Sequence, residues 1–269
     1  GSAPMTRFIL GFFVMIGCLM FLGCPFRLIL RLAGGDWNAI LGFVGFAVGI
    51  GAGTFFLKRG YSLKRTYSLP KFDAAVMPAL MVGLLILVVA APAFIFFSEK
   101  GPGAVHAFWA VSLIAGIVVG GLAQYTRLCM VGGIRDIILF HETKLLMGFV
   151  AVFVAAFLVN LAFGNFHPGF ANQPIAHTDG LWNFLGMALA GFCSILLGGC
   201  PMRQLIMTGE GNTDSAITVL GLVIGAAFAH NFGLAASGNG PTFNGEIAVI
   251  LGFVVALIIA VVNTRKQGA

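Results

Sequence analysis

Residues 23–27 read GCPFR and residues 199–203 read GCPMR, 176 positions later, each straight after an apolar run. Proline is favoured in the first helical turn, where its missing N–H is one of the orphans anyway. Cys24-Pro25 and Cys200-Pro201 therefore each read as the N-cap and first residue of a new helix. The segments CPFRLILRLAGG and CPMRQLIMTGEG reach glycine after about half of the roughly 20 residues a helix needs to cross a bilayer. Each is expected to be a broken or re-entrant half-helix, which lipid tolerates only where protein or a cavity surrounds it. The start of a half-helix offers unpaired N–H groups and a positive dipole to an anion. Gly23 and Gly199 would let that anion approach closely.

Composition fixes the class around these motifs. Of 269 residues, 59% are hydrophobic and 9% charged, against about 25% charged in a soluble domain. The chain reads as an all-α polytopic membrane protein, one transmembrane domain over 1–269. Eight spans are expected near 7–22, 39–57, 76–97, 104–122, 144–163, 182–198, 216–234 and 246–262. The net charge of +6 records loop sidedness rather than a nucleic-acid partner; membrane lipid is the implied surroundings. Glycine is frequent, with 38 copies. The four-residue spacing of Gly45, Gly49 and Gly53 suits close helix packing in lipid rather than phosphate binding.

Lys58, Arg59, Lys64, Arg65 and Lys71 make the loop 58–73 strongly basic, and the tail carries Arg265 and Lys266. Placing both in the cytoplasm also places Arg127, Arg135 and Lys144 there, with 164–181 and 235–245 outside. Arg27, Arg31 and Lys100 are the basic residues left over. Five spans separate Cys24 from Cys200, and an odd number makes the two motifs enter from opposite faces. That is an inverted-topology, pseudo-two-fold repeat, over 7–57 and 183–234, an architecture common in transporters with a midplane site. Phe8 pairs with Phe184 in an ungapped alignment, and AGGDWNAILG and GNTDSAITVLG both run from a polar turn into a fresh apolar helix. The two half-helices are expected to meet at a waist lined by Cys24 and Cys200. QYTRLCMVGGIRD, residues 124–136, carries Cys129 between spans four and five and has no second copy. Symmetry would put its partner before residue 1.

Arg27 and Arg203 sit one turn into the half-helices, where a charge is costly and usually functional. Arg27 would attract an anion outside and Arg203 receive it inside, and Arg127 repeats the pairing of arginine with cysteine. Arg135, Asp136 and Asp214 read as structural ion pairs or caps. Cys18 and Cys193 lie two helical turns before the paired motifs and read as packing, or as an outer step of a thiol relay. The five cysteines contain no CxxC pair, which argues against zinc, an iron–sulfur cluster or a disulfide framework. His167 and His177, in NFHPGFANQPIAHTDG, read as a solvated external loop rather than a metal pair. No metal, cofactor or enzymatic activity is expected.

The stretches FLGCPFRLILRLAGGDWNA, TRLCMVGGIRDIILFHE and LLGGCPMRQLIMTGEGNTD resemble the YeeE/YedE membrane family, most closely its YedE-like branch assigned to selenium transport. The resemblance runs through nearly the whole chain. It implies uptake of a sulfur- or selenium-containing anion across the bacterial inner membrane, a fold with short half-helices at a central waist, and thiols that hydrogen-bond a terminal sulfur. Cys24 and Cys200 match the family's glycine-cysteine motifs, and Cys129 its arginine-x-cysteine motif; the other copy of that motif is absent here. A small cytoplasmic sulfur-carrier protein is an implied partner. Thiosulfate-transporting members follow the cysteine with small polar residues. Here Pro25 and Pro201 follow, with Arg27 and Arg203 beyond, which shifts the expectation from thiosulfate towards a selenium or other sulfur-containing anion. The competing expectation is a membrane enzyme that forms a persulfide or selenosulfide on Cys24 or Cys200, disfavoured because no resolving thiol is close in sequence.

Overall fold

The computed structural model describes residues 2–63, 67–68, 70–91, 94, 96, 99 and 107–264, with only the backbone of residue 71. Lys64, Arg65, Lys100, Arg265 and Lys266 lie outside the described residues, as does the side chain of Lys71.

The described residues form eleven helices: α1 Pro4–Phe21, α2 Pro25–Ala33, α3 Asn38–Lys58, α4 Lys71–Ala90, α5 Trp109–Tyr125, α6 Met130–Phe140, α7 Lys144–Ala162, α8 Gly180–Leu197, α9 Pro201–Gly209, α10 Thr213–Asn231 and α11 Phe243–Val262. Eight stretches are long and apolar enough to span a membrane. This is a multi-pass, all-α membrane protein. The expected third span, 76–97, is α4, which starts earlier and closes where Ala91 turns left-handed at φ 41°.

Three of the eight stretches are interrupted, joining α1 to α2, α5 to α6 and α8 to α9. Cys24 and Cys200 are the N-caps of α2 and α9, with φ/ψ of −76°/168° and −70°/164°, and proline opens each helix. The same local chemistry has produced the same backbone twice. The third break was not read from sequence as a half-helix. Cys129 caps α6 in extended conformation, and its sulfur accepts the Gly132 N–H at 3.4 Å. Without a proline after the cysteine, that stretch carried no helix-start signal.

The core is made by α3 against α8, α10 against α1 and α1 against α8. Glycines allow it. A Cβ on Gly45 would stand 2.1 Å from the Phe184 carbonyl oxygen, and one on Gly49 2.1 Å from that of Ala188. In the other pair, Gly221 meets the Phe8 carbonyl at 2.3 Å and Gly225 that of Phe12 at 2.8 Å. Backbones at this range gain dispersion contacts that lipid cannot offer.

Two sets of contacts define the ends of the bundle. At one end Arg7 pairs with Asp214 at 3.3 Å, Gly211 lies on Ala74, and Tyr61 bridges to Thr264. At the other, Asp36 bridges to Gly169, His177 Nε2 meets the Met20 carbonyl at 2.8 Å, and the Ala236 N–H donates to Leu19. Arg31 holds this second end together. It is 8% exposed, forms a 2.7 Å ion pair with Asp36, donates to the Phe21 carbonyl and lies 4.0 Å from the Phe21 ring centroid. A buried pair of this kind survives because further hydrogen bonds satisfy both partners.

The expected reading of 164–181 as a solvated loop needs correcting. His177 is 1% exposed beneath the end of α1, and its backbone carbonyl takes the Asn183 amide. His167 stays exposed, and its N–H donates to the Gly34 carbonyl. A histidine in a polar segment gives no sequence signal that a helix end will need a cap from it.

Gly45→Leu and Gly221→Leu should each remove well-folded protein, because overpacking against rigid backbone costs at least about 1–3 kcal/mol. Gly83→Leu, where no atom lies within 4 Å of the added carbon, should express and elute normally. Size-exclusion profiles of the three variants in detergent check this.

Candidate functional site

The site is built from the three cysteine-capped helix starts. In each, the cysteine carbonyl accepts the first helical hydrogen bond: Leu28 N–H to Cys24 at 2.9 Å, Gly133 to Cys129 at 2.9 Å and Gln204 to Cys200 at 3.0 Å. The N–H groups ahead of those bonds are left to face whatever sits at the helix start.

Two of these starts meet. Cys129 and Cys200 are electrostatic neighbours. The Gly132 N–H donates to the Cys129 sulfur at 3.4 Å. Each cysteine thus sits at a helix start, where aligned dipoles favour negative charge. Both are shut from solvent in this conformation, at 6% and 3% exposure. A passage through this point requires the two thiols to part.

Cys24 is half-buried and belongs to a second group. Its electrostatic neighbour is Cys18, which also neighbours Cys193. Cys193 precedes Cys200 by seven residues, roughly 10 Å of helix rise. Cys200 has Cys129, at the start of α6, as its electrostatic neighbour. Cys18 and Cys193 are buried within α1 and α8.

The arginines divide in the same way. Arg203 donates to the Gln124 side chain at 2.8 Å across to α5. Arg27 packs its stem near Gly23 and lines a cavity with Arg31, and its Nε is buried without a partner. Arg127 is exposed and left-handed at φ 52°. Gly199 lies against Arg203 and Gln204, where an added Cβ would sit 3.4 Å from either side chain. Arg135 pairs with its neighbour Asp136 at 2.7 Å, and Asp214 accepts from Ser2 and Arg7, structural roles as expected. Gln204 was missed in sequence. It is 3% exposed, one residue beyond Arg203, with Oε1 unpartnered. Among the described residues no cluster of histidine, cysteine or carboxylate suits a metal ion.

A family model described as sulphur transport matches residues 125–266. The chain belongs to that family. The match takes in Cys129, Cys193 and Cys200 together with α6 to α11, and it stops short of Cys18 and Cys24. Comparison with curated proteins finds no match. Membership makes the chain a transporter for a small sulfur-containing substrate, in keeping with the resemblance of its motifs to YeeE/YedE proteins.

Exposure orders the thiols for labelling. In single-cysteine variants, Cys24 should react with a small maleimide well before Cys18, Cys129, Cys193 or Cys200. Mass spectrometry over a time course checks the order, and early labelling of Cys193 would contradict this geometry.

Proposed function

We propose that the protein takes up a sulfur- or selenium-containing anion across the bacterial inner membrane, with a selenium species preferred and thiosulfate-like anions also accepted. The observation that carries this reading is that Cys129 and Cys200, neighbours in the fold, are both buried N-caps of helix starts. They would supply a polarisable, weakly donating gate. Thiols bind anions weakly, so release stays fast, as a channel-like importer requires.

The packing supports an inverted repeat. Exchanging α1 with α8 and α3 with α10 converts the α3–α8 contact into the α10–α1 contact and leaves α1–α8 unchanged. The pairs Gly45–Phe184 and Gly221–Phe8 exchange in the same way. The end holding residues 58–63 and Thr264 is the cytoplasmic one, next to the basic loop and the tail. The end holding Asp36 and Gly169 faces outward. The anion enters past Arg27 and Cys24, moves by Cys18 and Cys193, crosses the Cys129–Cys200 gate and leaves by Arg203 and Arg127. A small cytoplasmic sulfur-carrier protein is the expected receiver.

The same pair favours a second reading. The resolving thiol that the sequence lacked at short range is Cys129. A Cys200 thiolate attacking a sulfane sulfur would form a persulfide and release sulfite from thiosulfate. Cys129 would then displace hydrosulfide and leave a disulfide, which an external thiol must reduce.

Uptake of radiolabelled selenite and thiosulfate into cells decides between them. Cys129→Ala and Cys200→Ala should each lower uptake about tenfold or more at equal protein level, the effect of losing roughly 1.4 kcal/mol at the gate. Unchanged uptake in both variants would remove the thiol path. A covalent sulfur or selenium adduct on Cys200 after substrate exposure would favour the transferase reading.

A further inference from the structure

A cavity of about 320 Å³ opens at the Asp36 end of the bundle, between α2 and the end of α7. Arg27, Arg31, Asp36, Asn160 and His167 line it. Its chemistry is lopsided. Arg31 is 8% exposed and commits Nε to Asp36 and Nη1 to Phe21, leaving Nη2 buried with no partner. The Arg27 Nε is buried and unpartnered too. A buried donor left unsatisfied is costly, more so on a charged group, and both guanidinium groups that carry one line this cavity. Asp36 offers little relief, since its oxygens already accept from Arg31 and Asn38. Two guanidinium charges against one carboxylate leave the cavity net positive. The Asn160 carboxamide adds a neutral donor from α7.

We propose that this cavity is a loading site that binds small tetrahedral oxyanions as a class, ahead of the thiols. Guanidinium and carboxamide N–H groups match oxyanion oxygens. The space far exceeds the ~10–15 Å³ that a single water needs, so the anion keeps part of its hydration shell. A partly hydrated anion is chosen by charge and oxygen geometry, not by a terminal sulfur or selenium. Sulfate therefore competes with thiosulfate here, and discrimination falls to the thiols deeper in. The site rests on the transport reading only for its place before the gate.

Titration calorimetry of the purified protein in nanodiscs, with sulfate and with thiosulfate, tests this. Both anions should bind with similar affinity. Arg27→Gln and Asn160→Leu should each weaken both about tenfold, the loss of one charge-assisted or one neutral hydrogen bond. Gly83→Leu, where no atom lies within 4 Å of the added carbon, should leave both affinities unchanged. Melting curves verify folding, and Asn160→Leu, at the rim of α7, decides the matter if Arg27→Gln does not fold. Unaltered affinities in the folded variants, or binding of thiosulfate without sulfate, would overturn the site. Normal uptake in the cysteine variants would sink the thiol path while leaving the loading site standing.

Discussion

The architecture depends on backbone meeting backbone without side chains between. Where Gly45 and Gly49 lie on the carbonyls of α8, and Gly221 and Gly225 on those of α1, any Cβ would collide. Lipid gives helices no hydrophobic reason to associate, so close approach and dispersion must supply it. That tight four-helix core is also what makes the broken helices affordable. At the two breaks local bonds take up freed groups: Gly23 N–H donates to the Cys18 carbonyl, Gly198 to that of Ile195 and Gly199 to that of Ser194. The half-helices then bring their starts, with cysteine at each cap, to the interior.

Much of this was legible in the chain. Cys-Pro after an apolar run announced both helix starts, because proline fixes φ and removes a donor that has no partner there. Apolar length announced the eight spans, and the glycine spacing announced the packing faces. What stayed hidden depended on three-dimensional meeting. Cys129 caps a helix as the other two cysteines do, yet no proline follows it, and nothing in the sequence joins it to Cys200. His177 lies in a stretch as polar as any loop and is buried only because the end of α1 needs its ring. Arg31 read as one of three basic residues left out of the cytoplasmic count, and its reason is the ion pair with Asp36, five residues on. Cys18 and Cys193 read as packing because each is a lone cysteine in an apolar helix. Only the α1–α8 packing makes them electrostatic neighbours.

The two ends of the molecule differ in chemical character. The Asp36 end collects cations with spare donors above a partly exposed thiol. At the other, Cys129 and Cys200 are buried neighbours and Arg203 is tied to Gln124. In the proposed route, charge would gather anions at the first and thiols would sort them at the second, since guanidinium groups favour oxygen while thiols accommodate sulfur and selenium.

The most direct test of the gate is to lock it. Cys129 and Cys200 are joined as a disulfide by an added oxidant, in protein whose other three cysteines are replaced by alanine. Entry of labelled thiosulfate into proteoliposomes is then followed. The account predicts that entry stops when the two sulfurs are held together by the disulfide and returns on reduction. Undiminished entry with the disulfide intact would show that the anion crosses elsewhere.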